Sequence, residues 1–202
     1  MGQIKQRPSP RLTAIVVGKG TCWFSLETNL DKNITVLEEL GNDRIIILKV
    51  NPSLHNTLFI VAVYLPTSKE FINVFKASLG TLEEILCNLE HDGTVMVVGD
   101  FNAHIGNLGE LTCLNRINGQ GTYHYECLEK YDFVSINSQG FCHGPIATFY
   151  AGEGLVATIV DHIFIQQSAL SLVLDPTVVE DCSSNLSFHF PISCTVKADL
   201  KM

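Results

Sequence analysis

Two apolar runs, LFIVAVYL at 58–65 and VMVV at 95–98, constrain the fold more than anything else in the chain. As strands they present apolar side chains to both faces, so both faces must be covered. The longer run is far too short to cross a bilayer as a helix, which takes about 20 residues. Between them, residues 70–89 carry apolar side chains at 72, 75, 79, 82, 86 and 89, steps of three and four that draw one helical stripe. Gly80 inside the stripe costs about 1 kcal/mol relative to alanine without erasing the pattern. Strand, helix, strand in that order predicts a parallel pair joined by a crossover helix.

Further β-rich runs fall at 12–17, 34–37, 44–50, 133–136, 158–165, 170–179 and 192–196, most of them bounded by Gly, Asn, Asp or Pro. A second helix is expected near 121–131, where Tyr123, Cys127, Leu128 and Tyr131 share a face. With 46% hydrophobic and 17% charged residues, disorder is excluded. Absence of repeats and linker-like tracts predicts one domain over 12–202 behind a basic, proline-bearing tail at 1–11. The tail is followed by too few apolar residues for a secretory signal, so an intracellular location, nuclear or cytoplasmic, and no membrane partner are expected. Seven cysteines, none spaced C-x-x-C, read as reduced and buried, with no disulfide-linked partner. The net charge of −8, 13 basic against 21 acidic side chains, disfavours nonspecific attraction to nucleic acid.

Chemistry concentrates where the apolar runs end. After VMVV comes Gly99-Asp100-Phe101-Asn102-Ala103-His104-Ile105-Gly106. On a chain still extended, period two puts Asp100 and Asn102 on one face and turns Phe101 into the core. A carboxylate beside a carboxamide suits a hard cation or a phosphoryl group; an Asx-rich turn that merely ends the strand uses the same residues. Tyr64, before Leu65-Pro66, is either a half-buried rim residue or a phosphate ligand. Alternation in 158–165 places Asp161 with Ile159, Ile163 and Ile165, where a carboxylate needs backbone amides or an ionic partner. His189, between Phe188 and Phe190, reads as a satisfied core ring or, if an aspartate orients it, as a proton donor or a cation facing phosphate.

These residues together resemble a family. YLP at 64–66, GDFNAHIG at 99–106, VDHI at 160–163 and S-x-H-F-P at 187–191 stand in the order found in the endonuclease/exonuclease/phosphatase superfamily. The octapeptide is especially similar to the endonuclease domain of non-LTR retrotransposons. The resemblance implies an α+β fold, a four-layer α/β/β/α sandwich, and Mg²⁺-dependent phosphodiester hydrolysis with DNA as partner. It also implies roles: Tyr64 contacts the scissile phosphate, Asp100 aligns or deprotonates the attacking water, and Asn102 orients water, phosphate or metal. Asp161 holds His189, which hydrogen-bonds the phosphoryl oxygen. Asp100 and Asn102 are the implied metal residues; Tyr64, Asn102 and His189 are the implied substrate contacts.

Two departures bear on activity. The family's last motif reads Ser-Asp-His, and Phe188 stands at its aspartate. The family also opens with strands that supply an asparagine and a metal-binding glutamate, and this chain is expected to lack them. Glu27, in Ser25-Leu26-Glu27-Thr28, is read as a chance echo of that glutamate, too near Tyr64 for the strands normally between. Weak Mg²⁺ binding and impaired endonuclease activity follow, with a catalytically inactive nucleic-acid- or protein-binding remnant, or a phosphatase, as alternatives. Missing strands further imply an uncovered sheet edge near 12–17 and self-association through it.

Overall fold

The computed structural model describes residues 11–17, 21–26, 34–53, 56–67, 71–105, 119–150, 157–180 and 187–197. Glu27 and almost all of the basic tail lie outside them. A six-stranded sheet is built from β3 (Ile34–Val36), β4 (Ile45–Ser53), β5 (Asn56–Tyr64), β6 (Thr94–Asp100), β7 (Phe133–Ser135) and β8 (Asp161–Gln166), in the order β3-β4-β5-β6-β8-β7. A four-stranded sheet contains β1 (Arg11–Val17), β2 (Thr21–Leu26), β9 (Val173–Val178) and β10 (Ile192–Lys197), in the order β2-β1-β10-β9.

The central unit follows from its sequence pattern. β5 and β6 pair in parallel, and α1 (Ile72–Leu89) crosses between them. Phe75, Leu79, Leu82, Leu86 and Leu89 of its stripe are buried, and Ile72 packs against the same core. Truncating the fully buried Leu82 to alanine would cost about 2–5 kcal/mol. Alternate residues of the six-stranded sheet divide between two cores, as strands apolar on both faces require. Phe59, Val61, Val95, Val97 and Phe164 meet α1 and α2 (Gly119–Lys130) on one face. Ile60, Met96, Val98, Ile163 and Ile165 meet Val178, Ile192, Cys194 and Val196 of the other sheet. The result is an α+β sandwich of two packed sheets, with both described α-helices on the outer face of the larger one. No helix among the described residues is long and apolar enough to cross a membrane.

Three expectations need correction. The strand at 12–17 is not an edge: β1 lies between β2 and β10, so β2 is the outer strand on that side. β2 went unread because TCWFSL mixes polar and apolar residues without clear alternation. The second helix turns Gln120, His124, Cys127 and Leu128 inward, whereas Tyr123 is exposed under the ammonium of Lys76, 4.1 Å from its ring centroid. Finally, the extended chain ends at Asp100, because Asn102 adopts a left-handed backbone (φ 48°). Strand alternation therefore does not carry from Asp100 to Asn102.

Candidate active site

Tyr64, Asp100 and Asp161 line up across one end of the larger sheet. Tyr64 is the register partner of Asp100 on the parallel β5–β6 pair, and Asp100 is the partner of Asp161 on the antiparallel β6–β8 pair. Partners in register share a face, here the face toward the second sheet. Gly99 permits this close pairing, since a Cβ at its φ of 146° would stand 1.9 Å from the Val63 carbonyl oxygen.

His189 arrives from the other sheet. Residues 148–150 form a short ribbon whose Phe149 bridges Thr158 on one side and His189 on the other. That ribbon delivers His189, just ahead of β10, to Asp161: Nδ1 lies 2.9 Å from Asp161 Oδ2. An ionised carboxylate only accepts, so Nδ1 carries the proton in that pair. The Phe149 ring meets the imidazole edge-on at 4.8 Å. Asp161 itself is fully buried. Its backbone is pinned by Thr148, whose hydroxyl oxygen accepts from the Val160 and Asp161 amides, and by Asn137, whose Nδ2 donates to the Asp161 carbonyl.

Asn102 ties the mouth of the site together rather than standing parallel to Asp100. Its backbone amide donates to Asp100 Oδ1 at 3.1 Å, an Asx-type turn, and its Nδ2 donates to the Leu65 carbonyl at 2.8 Å. The loops after β5 and β6 are thereby joined. Phe101 turns into the core as alternation predicts.

The electrostatics are those of carboxylates crowded out of water. Burial, and then the neighbouring Asp161 charge, push the Asp100 carboxyl up to about 6, against the pull of His189 and Asn102. Burial likewise raises Asp161, offset in part by its hydrogen bond and charge interaction with His189 and by Thr148. Asp100, Asp161 and His189 each offer one ligand atom, all within 4.8 Å of one another. Two buried carboxylates, one of which raises the proton affinity of the other, beside an imidazole, are a donor set that a divalent cation fits. Phe188, 58% exposed, adds no oxygen to it.

The structure thus brings Asp100, Asp161 and His189 into one cluster, with Tyr64 in register beside them and Asn102 hydrogen-bonded to its rim. Sequence reading missed the supports Thr148, Phe149 and Asn137. Nothing local marks Thr148 or Asn137, since their partners are brought near only by the fold.

No protein family model matches the sequence, and no curated protein matches it. Solved structures do. The endonuclease domain of TRAS1, a telomere-specific non-LTR retrotransposon, superposes with a TM-score of 0.65 at 16% identity, over 92% of this chain and 80% of that one. The AP endonuclease LMAP from Leishmania major gives 0.64 at 13% identity, over 87% of this chain and 65% of that one, so this chain spans just under two thirds of its length. An AP endonuclease from Archaeoglobus fulgidus gives 0.55 at 17% identity, over 87% and 74% respectively. At these identities the likeness is one of architecture: this chain shares the fold of these endonucleases.

Proposed function

We propose that this chain is a nuclease-type domain that hydrolyses phosphodiester bonds of nucleic acid with help from a weakly held divalent cation, Mg²⁺. The observation that carries this reading is the buried Asp100–Asp161–His189 cluster at the end of two packed sheets. Asp100, with a proton affinity near neutrality, is suited to align an attacking water and accept its proton. Asp161 fixes the tautomer and orientation of His189, which leaves Nε2 as the nitrogen that would donate to a phosphoryl oxygen as charge accumulates there. Tyr64, in register with Asp100, would contact the same phosphate, and Asn102 would keep the two loops at the distance the phosphate needs. Asp100 and one oxygen of Asp161 are the groups that would hold the cation. When bound, it would supply charge stabilisation to the phosphate and its leaving oxygen.

Weakness follows from the donor count. A hard cation takes six or more oxygen ligands, and one of the two carboxylates is already committed to His189. Retrotransposon descent is the reading favoured by the octapeptide GDFNAHIG and supported by the architectural likeness to the TRAS1 domain. The test is an end-labelled oligonucleotide incubated with Mg²⁺ beside p-nitrophenyl phosphate. Internal cleavage of the oligonucleotide without release of p-nitrophenol is expected. The reverse pattern would make the chain a phosphatase.

A further inference from the structure

Two consecutive carbonyls need partners where β5 runs out. The Leu65 amide makes the last ladder bond, to the Asp100 carbonyl, and Pro66 has no N–H to continue it. The carbonyls of Leu65 and Pro66 lie beyond that ladder, on residues that are both buried, and a buried carbonyl needs a donor. Carboxamides supply both: Asn102 Nδ2 donates to Leu65 at 2.8 Å, and Gln120 Nε2 donates to Pro66 at 3.2 Å. Gln120, itself buried, is the second residue of α2. One turn further on, the fully buried His124 stacks its ring on Phe101, with centroids 4.4 Å and planes 18° apart. Positions four apart on a helix share a face. One face of α2 therefore grips both the segment that leaves Tyr64 and the residue between Asp100 and Asn102.

We infer that Gln120 and His124 are positioning residues of the phosphodiesterase site, through which α2 sets the distance between the Tyr64 phosphate contact and the Asp100 carboxylate. This deepens the phosphodiesterase reading and rests on it. Gln120 is spent on a backbone carbonyl and His124 on the helix-covered core, so each acts through the loop it holds. The two grips are complementary. The Gln120 bond fixes the backbone just after Tyr64. The His124 ring lies flat on Phe101 and meets Phe164 edge-on at 5.5 Å, which fixes the tilt of Phe101 as well as its place. Asn102 ties the same two loops to each other, so α2 supplies a second, independent hold on their separation.

Single-turnover cleavage of an end-labelled oligonucleotide with Mg²⁺ is measured for Gln120→Met, which keeps the side-chain length and loses the donor, and for His124→Leu and His124→Phe. Gln120→Met and His124→Leu should each slow cleavage by about tenfold, and His124→Phe, which keeps a flat ring on Phe101, should restore the rate. A double-mutant cycle separates positioning from a merely structural role. On a Tyr64→Phe background, Gln120→Met should cost less than about threefold, because the phosphate contact that it positions is already gone. Fully additive losses, or a Gln120→Met chain that cleaves like the parent, would overturn the inference; Gln120→Met decides alone should His124→Leu not fold. A second readout needs neither cation nor cleavage. In fluorotyrosine-labelled protein in EDTA, the Tyr64 fluorine resonance, identified by its loss in Tyr64→Phe, should shift or broaden in Gln120→Met while that of Tyr150, on the His189 ribbon, stays in place. A parent that never cleaves but whose Tyr64 resonance answers to Gln120 would defeat the hydrolase reading and sustain the grip of α2; cleavage with a Tyr64 resonance indifferent to Gln120 would do the opposite.

Discussion

Asp161 Oδ2 and His189 Nδ1 are 2.9 Å apart, and this hydrogen bond joins β8 of the larger sheet to the segment that enters β10 of the smaller one. A single polar contact therefore both closes one end of the sandwich and sets the orientation of the imidazole. Asp161→Asn keeps the shape but removes the carboxylate. Cleavage should fall at least a hundredfold, about 3 kcal/mol in barrier, with substrate affinity little changed. Single-turnover kinetics separate the two, and an unchanged rate would remove Asp161 from the reaction.

Asp100 should show the cost of the site to stability. Its folded-state pKa of about 6 lies above the ordinary 3.8, so the folded state holds the proton more tightly. The associated stability is fully present below pH 3.8 and is lost as pH rises through about 6. Asp100→Asn should accordingly stabilise the cation-free protein by about 1–2 kcal/mol at pH 7.5, or about 2–8 °C in the thermal midpoint, while abolishing cleavage. The gain should vanish near pH 4. Scanning calorimetry of both proteins across that range checks the sign; a gain that grows on acidification would refute it.

His124 works in the opposite direction. It is fully buried, stacked on Phe101 at 4.4 Å, and neither ring nitrogen has a hydrogen-bond partner among the described residues. Burial lowers its pKa from 6.5 to about 3, so the stability tied to its neutral form is present above pH 6.5 and is lost as pH falls toward 3. His124→Phe, which keeps the ring, should stabilise by about 1 kcal/mol at pH 7.5 and by more than twice that at pH 5. Equal midpoints of variant and parent at pH 5 would contradict this account.

Phe188 stands where a carboxylate would add an oxygen to the cation's donor set. Phe188→Asp should therefore lower the Mg²⁺ concentration needed for cleavage, and because Phe188 is 58% exposed the thermal midpoint should hardly move. A Mg²⁺ titration of cleavage identical in variant and parent would contradict this.

Much of the fold was legible because its signals are local. The doubly apolar runs and the three-four stripe of α1 each report burial of one segment, and four motifs in order at strand ends located Tyr64, Asp100, Asp161 and His189. What failed was pairing and its consequences. β2 has a composition that suits no face clearly, so the strand beside it was taken for an edge. Tyr123 was assigned to a buried stripe that His124 fills instead, because a histidine carries no hydrophobic signal although its ring packs between Phe101 and Phe164. Asn102 leaves the strand face through a left-handed backbone and an Asx-type turn, the alternative these residues carry beside the extended one. Thr148 and Asn137 support Asp161 across long sequence separations, which a linear reading does not reach.

Nicking of supercoiled plasmid across a Mg²⁺ titration, with the parent chain beside Asp100→Ala, tests the central claim most directly. Slow nicking is expected that rises through the millimolar range without saturating, is abolished by EDTA, and is absent from Asp100→Ala. Nicking that persists in EDTA or in Asp100→Ala, or no nicking by the parent at any Mg²⁺ concentration, would contradict the claim that Asp100, Asp161 and His189 form a weak, cation-assisted phosphodiesterase site.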